Sequence, residues 1–583
     1  MTRSADPPTL PARLTLALAA FAGLVGAAHC WTYRYRLVNL DAVSYLDTAD
    51  AWRTAGWRAA MNGYWSPLYS WVLAGAAAIF RPSRSAEYVL VHAVNLALFL
   101  LSFAACALLV RELLRDAGHD TQDGSAMSWS PRQLTTIALV LWTWMALTQL
   151  VIWMESPDLL VASATFVAAA MLVRLRRSVR LSDGFLLGAA LGCGYLAKAA
   201  MLPLSVVYLL AGFAVARRRW TQTLIAGVGL ALVSAPWIAA LSVVKGRLTM
   251  GDAGRMNYIW FVGHSKDYPH LWPRHWPHSD GVGVTGTPSH PDRLLLDKPA
   301  VYDLTTSNPF EATYPIWHDP SRWYEGLRPA LSVRDELRRL RISTSSVFEL
   351  LTVNAYQREW MNPELPVLAI VVACWLAAAA GRRWRVHWAL LIPGAATIGL
   401  YAMVYVSPRY LGAAICVMWV ALIAGVRLPR TDASARLLRG ATAAVTALLA
   451  FAIVSATIWE CGAGWRRLLR GDVDEYNNPW HVAEVMHAAG LAEGTRVAVI
   501  GNAQIASRWA RLARVKIVAE VPIADLPLFA ASADSANAVL RALDGSTARY
   551  ALAEKIPENS LGWRALEGTP YWIIEVPRAR TPE

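Results

Sequence analysis

Three carboxylates lie close together early in the chain, directly after its first apolar segment. Asp41, Asp47 and Asp50 belong to the stretch DAVSYLDTADAWRTAGW, which begins at Asp41. A carboxylate at a membrane edge loses hydration energy unless a partner or a reaction compensates for the loss. We therefore hypothesise that Asp41 is a general base that removes a proton from a hydroxyl group. The structural alternative is an N-terminal cap, because aspartate is a preferred cap and the residues from Ala42 onward have a helical pattern.

Asp47 and Asp50 compete with Asp41 for the role of base. Both lie near Arg53 on the predicted helix. Carboxylates on an exposed helical surface are usually solvated or paired with a neighbouring cation. The sequence therefore favours a solvated or capping role for Asp47.

A second acidic site is predicted where one apolar run ends and the next begins. Glu155 and Asp158 flank Ser156-Pro157 at this point. Proline and acids are ordinary in the first turn of a helix, because the helix dipole favours negative charge there. Two acids between apolar spans could also coordinate a divalent cation or bind an acceptor. Both interpretations stay open, and no metal is assigned.

Two cations interrupt apolar sequence further along the chain. Lys198 lies between two short apolar runs, and Arg409 follows Pro408. A long cationic side chain in such a place can extend to the membrane interface, or it can neutralise a lipid phosphate. A guanidinium group suits bidentate contact with phosphate. Either cation is therefore a candidate ligand for the phosphate of a lipid.

The composition requires a membrane protein. The chain has 583 residues, of which 55% are hydrophobic and 17% are charged. Soluble domains usually carry about 25% charged residues. The net charge of +13 could suggest nucleic acid. The arginines, however, cluster between apolar runs, which is typical of cytoplasmic loops, so nucleic-acid binding is not expected.

About eleven apolar runs are predicted to span the membrane as helices. They are residues 13–31, 87–110, 132–152, 158–174, 184–197, 201–216, 222–243, 365–380, 388–406, 410–427 and 437–459. The short run 66–80 is assigned to the interface, after a predicted amphipathic helix at 42–61. The short arginine-rich loops then fall on the cytoplasmic side. Asp41, the loop 153–158, Lys198 and Arg409 would share the outer face.

Two polar regions flank the last four predicted spans. The insert 244–364 is rich in Trp, Tyr, His and Pro, and we expect it to cap the outer face as an acceptor-binding lid. Residues 332–343 should be helical. Four clustered histidines in the insert, His264, His270, His275 and His278, lack the spacing of a zinc motif. Zinc is therefore not favoured.

The C-terminal region alternates strands and helices, which predicts a small extracytoplasmic α/β domain. Predicted strands are 496–501, 515–521, 549–553 and 571–576, and predicted helices are 503–513 and 534–544. Gly501 follows its strand without a GxGxxG motif, so nucleotide binding is not expected. The predicted domains are 1–460, a membrane domain that includes the insert, and 461–583, a soluble domain.

Together these motifs resemble those of the GT-C superfamily of integral-membrane glycosyltransferases. The likeness lies in Asp41, the following GYWSPLYSW at residues 63–71, the Glu155-Ser-Pro-Asp158 loop and the Pro408-Arg409-Tyr410 corner. It covers residues 10–240 and that corner. Aminoarabinose transferases and protein O-mannosyltransferases are similar in layout.

The resemblance implies transfer of a sugar, with inversion, from a polyprenyl-phosphate donor to a glycan, lipid or protein hydroxyl. Transfer would occur on the outer face of the inner (plasma) membrane. Asp41 would be the base, and Asp158 with Glu155 would position the acceptor or a divalent cation. The implied substrate-binding residues are Lys198, Arg409, Tyr410, Tyr64 and Trp65.

Two other classes of protein remain as alternatives. A transporter or flippase would also need many spans and buried charges. The sequence shows no inverted repeat and no pair of interrupted helices in matching halves, which are the usual signs of that class. A degenerate GT-C scaffold that binds a partner through its C-terminal domain is the second alternative.

Overall fold

The computed structural model describes residues 9–120, 126–216, 220–263, 284–286, 289, 293–305, 310–352, 364–380, 387–470, 478–558 and 560–578. The four clustered histidines of the insert lie outside these residues. The chain divides into two compact units. Unit 1 comprises Met1–Thr32, His92–Ala240 and Val333–Arg466, and unit 2 comprises Tyr33–Val91, Leu241–Ser332 and Arg467–Glu583.

The elements are as follows. The helices are α1 (Ala12–Tyr33), α2 (Asp41–Thr54), α3 (Pro67–Phe80), α4 (Glu87–Asp120), α5 (Pro131–Thr148), α6 (Asp158–Leu175), α7 (Leu181–Ala197), α8 (Met201–Val215), α9 (Trp220–Lys245), α10 (Ala253–Tyr258), α11 (Pro315–His318), α12 (Pro320–Trp323), α13 (Val333–Thr352), α14 (Glu364–Ala380), α15 (Trp388–Ala402), α16 (Pro408–Ala424), α17 (Asp432–Arg470), α18 (Asn478–Ala488), α19 (Ala503–Ala513), α20 (Leu526–Phe529) and α21 (Ala533–Asp544). The strands are β1 (Ala126–Met127), β2 (Val284–Thr285), β3 (Arg293–Leu296), β4 (Val301–Asp303), β5 (Arg328–Pro329), β6 (Leu428–Pro429), β7 (Arg496–Gly501), β8 (Lys516–Pro522), β9 (Tyr550–Ala553), β10 (Arg564–Ala565) and β11 (Trp572–Glu575).

The multi-pass helical character predicted from composition is confirmed. Five of the described helices are long and apolar enough to cross a membrane, namely Ala12–Tyr33, Arg84–Ala117, Asp158–Leu175, Trp220–Lys245 and Asp432–Arg466. Six shorter apolar helices accompany them, Pro67–Phe80, Leu181–Ala197, Met201–Val215, Ala369–Ala378, Trp388–Ala402 and Pro408–Ala424. A span of the hydrocarbon core needs about 20 helical residues when it is straight. The number of eleven spans therefore stays a prediction.

Close packing fixes α7 within unit 1. Gly184, Gly188 and Gly192 repeat at every fourth position and face α9. A Cβ atom at Gly188 would lie 1.8 Å from the carbonyl oxygen of Ala226. Small residues at this spacing let two helices approach closely in a membrane. The α7 backbone is therefore held in place just before Lys198.

Unit 2 contains a seven-stranded sheet in the order β10-β11-β9-β7-β8-β4-β3. β7 is parallel to β8 and β9, and the other pairs are antiparallel. The strands and helices predicted in the C-terminal region are present as β7, α19, β8, α21, β9 and β11. β3 and β4 come from the insert, and Tyr302 of β4 lies opposite Glu520 of β8. The insert thus supplies two strands to the sheet of the C-terminal region.

Of two helices predicted near the candidate residues, one is present as expected and one is not. The helix expected at 332–343 is confirmed as α13, which runs further, to Thr352. The amphipathic interfacial helix expected at 42–61 is wrong in extent and character. α2 ends at Thr54, and every residue from Ala42 to Ala49 is buried. The first two turns of α2 therefore have no solvent-facing side, because 3.6 residues complete a turn.

Candidate active-site residues

Asp158 lies at the start of α6 in unit 1, and two cations face its carboxylate. Lys198 Nζ donates to Asp158 Oδ1 at 2.7 Å, and Arg409 Nε lies 3.8 Å from Oδ2. The Ser156 hydroxyl donates to Oδ2 at 2.9 Å. The carboxylate is 3% exposed, whereas the side chains of Lys198 and Arg409 are 22% and 16% exposed. Both cations therefore contact the same buried carboxylate and remain partly exposed.

The ring of Tyr410 holds the two cations of this cluster together. Lys198 Nζ lies 3.4 Å from the ring centroid, and the Arg409 guanidinium carbon lies 5.0 Å from it. Arg409 Nη2 also donates to the Tyr410 hydroxyl at 3.1 Å. Tyr401 stacks on Tyr410 with the ring centroids 5.1 Å apart. Cation–π contacts of this kind are attractive because the ring face carries negative charge. The structure thus brings together four of the predicted residues, Asp158, Lys198, Arg409 and Tyr410.

A strained loop precedes Asp158. Val151 has φ of 58°, a left-handed conformation that a β-branched residue adopts at a cost. The Asn95 side-chain amide donates to the carbonyl oxygens of Ile152 and Met154 at 3.2 and 2.9 Å, which holds the loop against α4. Glu155 is fully buried, with Oε1 at 3.4 Å from His92 Nε2. Its predicted role beside Asp158 stays a prediction.

Asp41 is the first residue of α2 in unit 2 and is half-buried. The indole N–H of Trp317 donates to Asp41 Oδ1 at 3.3 Å. Leu40 occupies the cap position of α2 without a side-chain hydrogen bond, and the Asn39 side-chain oxygen accepts from the Asp41 backbone N–H at 3.2 Å. Helix capping therefore does not explain the carboxylate at position 41. Asp41 and Asp158 belong to different units, and their shared site stays a prediction.

Aromatic side chains of the insert and of the segment before α3 surround Trp317. Trp260 stacks on Trp317 with ring centroids 5.8 Å apart, and the Trp65 indole donates to the Trp317 carbonyl at 3.1 Å. Tyr64 meets Trp65 edge to face at 4.4 Å, and its hydroxyl donates to Asn257 Oδ1 at 2.9 Å. Trp65 is buried and Tyr64 is half-buried. The sequence identified Tyr64 and Trp65 but not the two insert tryptophans, although the aromatic richness of the insert was a signal for them.

Asp47 is occupied by a buried network in unit 2. Arg511 Nη1 and the Thr313 hydroxyl both donate to Oδ1 at 2.8 Å, and the Thr313 amide donates to Oδ2 at 2.8 Å. Burial alone would raise the pKa of Asp47, but the charges of Arg511 and Lys516 outweigh it and hold that pKa below its ordinary value. The predicted solvated or capping role is wrong for Asp47, because its side chain is 1% exposed.

Arg511 also binds the second competitor for the role of base. Arg511 Nη2 lies 2.7 Å from Asp50 Oδ2, and the same guanidinium contacts both carboxylate oxygens of Glu87, at 3.0 and 2.7 Å. Asp50 is thus committed to an ion pair. Neither competitor of Asp41 is left available as a base. Sequence inspection missed Arg511, which lies among small apolar residues of α19 with no local partner.

Among the described residues, no group of three or more His, Cys, Asp or Glu side chains is arranged to hold a metal ion. Glu155 and Asp158 do not form such a group with a third ligand in this part of the chain. A role for a divalent cation therefore remains a prediction from the resemblance.

Comparisons with known proteins identify the fold. No protein-family model matches the chain, and no curated protein sequence matches it. The aminoarabinose transferase ArnT from Cupriavidus metallidurans, in the apo state, aligns with a TM-score of 0.54 and 13% identity over 96% of this chain and 97% of ArnT. ArnT bound to undecaprenyl phosphate aligns with a TM-score of 0.55 and 13% identity over the same shares of the two chains. The mycobacterial arabinofuranosyltransferase AftD gives 0.43 and 12% over 99% of this chain and 40% of AftD, a likeness too low to support a conclusion. The chain therefore shares the fold of ArnT, as the predicted GT-C-like fold class implies, and the likeness extends well beyond residues 10–240.

Proposed function

We propose that this chain is a membrane glycosyltransferase that moves a sugar from a polyprenyl-phosphate donor to a hydroxyl acceptor, with inversion, on the extracytoplasmic face of the inner membrane. The observation that supports this best is the cluster at Asp158, where two partly exposed cations contact the same buried carboxylate. The fold of ArnT, one of whose structures holds undecaprenyl phosphate, supports the choice of donor.

Binding of the donor phosphate is assigned to Lys198 and Arg409. When the bond between sugar and phosphate breaks, negative charge grows on the leaving phosphate. Cations that are already held in place stabilise that charge without reorganising. Asp158 and Tyr410 hold the two side chains through an ion pair, a hydrogen bond and ring contacts. A polyprenyl phosphate then leaves with little help from a general acid.

Removal of the proton from the acceptor hydroxyl is assigned to Asp41. Asp47 and Asp50 contact the guanidinium group of Arg511, whereas Asp41 is half-buried and accepts from the indole of Trp317. A base must reach the hydroxyl that attacks, and Arg511 already holds the carboxylates of Asp47 and Asp50 in ion pairs. Because aromatic side chains surround Trp317 and aromatic faces stack on sugar rings, a glycan is the acceptor that this setting fits best.

The test is an assay of the purified protein with a panel of radiolabelled polyprenyl-phosphate sugars and cell-envelope extract as acceptor. Asp41→Asn should lower turnover by about 10²- to 10⁴-fold, the usual contribution of a general base, and leave binding of polyprenyl phosphate intact. Asp534→Asn is the matched control, because Asp534 is an exposed acid in the first turn of α21.

Two outcomes would contradict the proposal. Full turnover by Asp41→Asn would show that Asp41 is not the base. A wild-type protein that binds polyprenyl phosphate but transfers no sugar from any donor would instead favour a transporter, a flippase or a degenerate scaffold. A transporter, a flippase or a scaffold predicts no difference between the Asp41 and Asp534 variants.

A further inference from the structure

Unit 2 contains a cavity that the proposed reaction does not use. Its volume is about 280 Å³, and it lies among residues of α2, α3, the start of α4 and α19. Part of its wall is apolar, formed by the buried side chains of Leu46, Leu73 and Val91. Pockets for drug-sized ligands are usually about 300–1,000 Å³. This cavity therefore fits a headgroup or a short part of a longer molecule.

The charged part of the wall is basic. Four arginines and two carboxylates line the cavity, and Asp47, the third carboxylate bound to Arg511, lies behind its wall, which leaves one surplus positive charge. The charged residues of the lining are Arg53, Arg81, Arg511, Arg514, Asp50 and Glu87. A concave site with a surplus of one sign attracts ligands of the other sign, because its low-dielectric walls focus the field.

The surplus charge is carried by the two exposed arginines at the rim. Arg511 is 3% exposed and is saturated by its carboxylates, and Arg514 Nη2 donates to Glu87 at 2.8 Å. Arg53 is exposed and reaches Asp50 only at 3.4 Å. Arg81 is exposed and forms no ion pair within the described part of the chain. An anion at the rim would therefore meet Arg53 and Arg81.

Backbone conformation adds an independent sign that these side chains matter. Arg81 and Arg514 have φ of 45° and 55°, and each follows the last residue of a helix, α3 and α19. Glycine is the usual residue at such a left-handed position, because it has no Cβ to clash. Of three non-glycine residues with positive φ in the described chain, two line this one cavity. Both left-handed positions thus hold an arginine whose side chain lines the cavity.

The rim of the cavity follows an exposed apolar segment. Ile79 and Phe80, at the end of α3, are 75% and 70% exposed, and Arg81 comes next. Exposed large apolar side chains on an apolar helix are covered by lipid, and a cation directly after them fits the level of lipid phosphates. We propose that the cavity binds the phosphate of an anionic phospholipid, with the first methylene groups of its acyl chains against the apolar wall.

The experiment is native mass spectrometry of the full-length protein after delipidation and addition of phosphatidylglycerol or phosphatidylcholine. The wild type should retain one phosphatidylglycerol. The double variant Arg53→Gln, Arg81→Gln should bind it at least about tenfold more weakly, because hydrogen bonds to charged groups are the strong ones. Arg436→Gln, an exposed arginine of α17 that does not line the cavity, is the control and should bind as the wild type does.

A second variant separates the cavity from general surface charge. Ala77→Trp fills the space without changing any charge and should also abolish retention. Thermal unfolding without added lipid checks that each variant is folded. Equal retention by the wild type and both cavity variants would overturn the proposal. So would a preference for phosphatidylcholine, or displacement of phosphatidylglycerol by millimolar inorganic phosphate, since the acyl chains would then contribute nothing.

Discussion

In unit 1 a single carboxylate, Asp158, faces two cations, whereas in unit 2 a single cation, Arg511, faces three carboxylates. The partners of Arg511 are Asp47, Asp50 and Glu87, at 2.7 to 3.0 Å. Both clusters are built from acidic and basic side chains. The number of carboxylates bound to each cation differs, and so does the exposure of the charged side chains.

The difference separates a buried ion-pair network that stabilises the fold, the lock formed by Arg511 and its carboxylates, from a site that can bind a ligand. Arg511 uses its Nε and both of its terminal nitrogens on carboxylates and is 3% exposed, so its network is complete. It ties α19 to α2 and to the first residue of α4. Lys198 and Arg409 keep part of their surface exposed while Asp158 holds them in place. An incoming phosphate could contact both exposed cations.

The largest expected effect comes from removing the cation of the lock. Arg511→Met leaves buried carboxylates without their counter-ion, which costs about 3–5 kcal/mol of the free energy of unfolding. Thermal unfolding in detergent should show a clear loss of stability. Arg541→Met, at an exposed arginine of α21, should change stability by no more than about 0.5 kcal/mol. If the two variants unfold alike, the network of Arg511 is not a lock.

The next effect concerns activity rather than stability. Lys198→Gln removes one of the cations assigned to the donor phosphate, and turnover should fall by about 10²- to 10³-fold. Its unfolding temperature should stay close to that of the wild type, because Lys198 is partly exposed and Arg409 remains beside Asp158. Lys555→Gln is the control, at an exposed lysine. A variant that loses stability but keeps its turnover would place Lys198 with Arg511 in a structural class.

The sequence was sufficient where a local pattern carries the information. The succession of strand-like and helix-like segments predicted β7 and α19 with the bounds found in the structure. Charged residues that interrupt apolar runs identified Asp158, Lys198 and Arg409, because such residues are costly in a membrane without a purpose. The chain order could not show that the three side chains meet, which depends on the packing of α6, α7 and α16.

The sequence was insufficient where partners lie far apart in the chain. Tyr302 of the insert pairs with Glu520 of β8, and Arg511 pairs with Asp47. A periodic pattern shows which face of a helix or strand is buried, but it does not show which other part of the chain packs against that face. The insert strands therefore looked like part of a loop, and Asp47 looked like a solvated acid.

The smallest effect is a dependence of stability on pH that the lock of unit 2 should confer. Burial would raise the pKa of Asp47, but Arg511 and Lys516 hold it below the ordinary value, so the unfolded chain takes up a proton first. The stabilisation is fully present above about pH 4, the ordinary range of an aspartate, and is lost as the pH falls through the lower pKa of the folded state. Unfolding temperatures measured from pH 6 to pH 3 should therefore fall more steeply for the wild type than for Asp47→Asn. Asp534→Asn, at an exposed acid, should keep the slope of the wild type. Equal slopes for the wild type and Asp47→Asn would mean that Arg511 does not stabilise the ionised form of Asp47, and the contrast between the two clusters would rest on exposure alone.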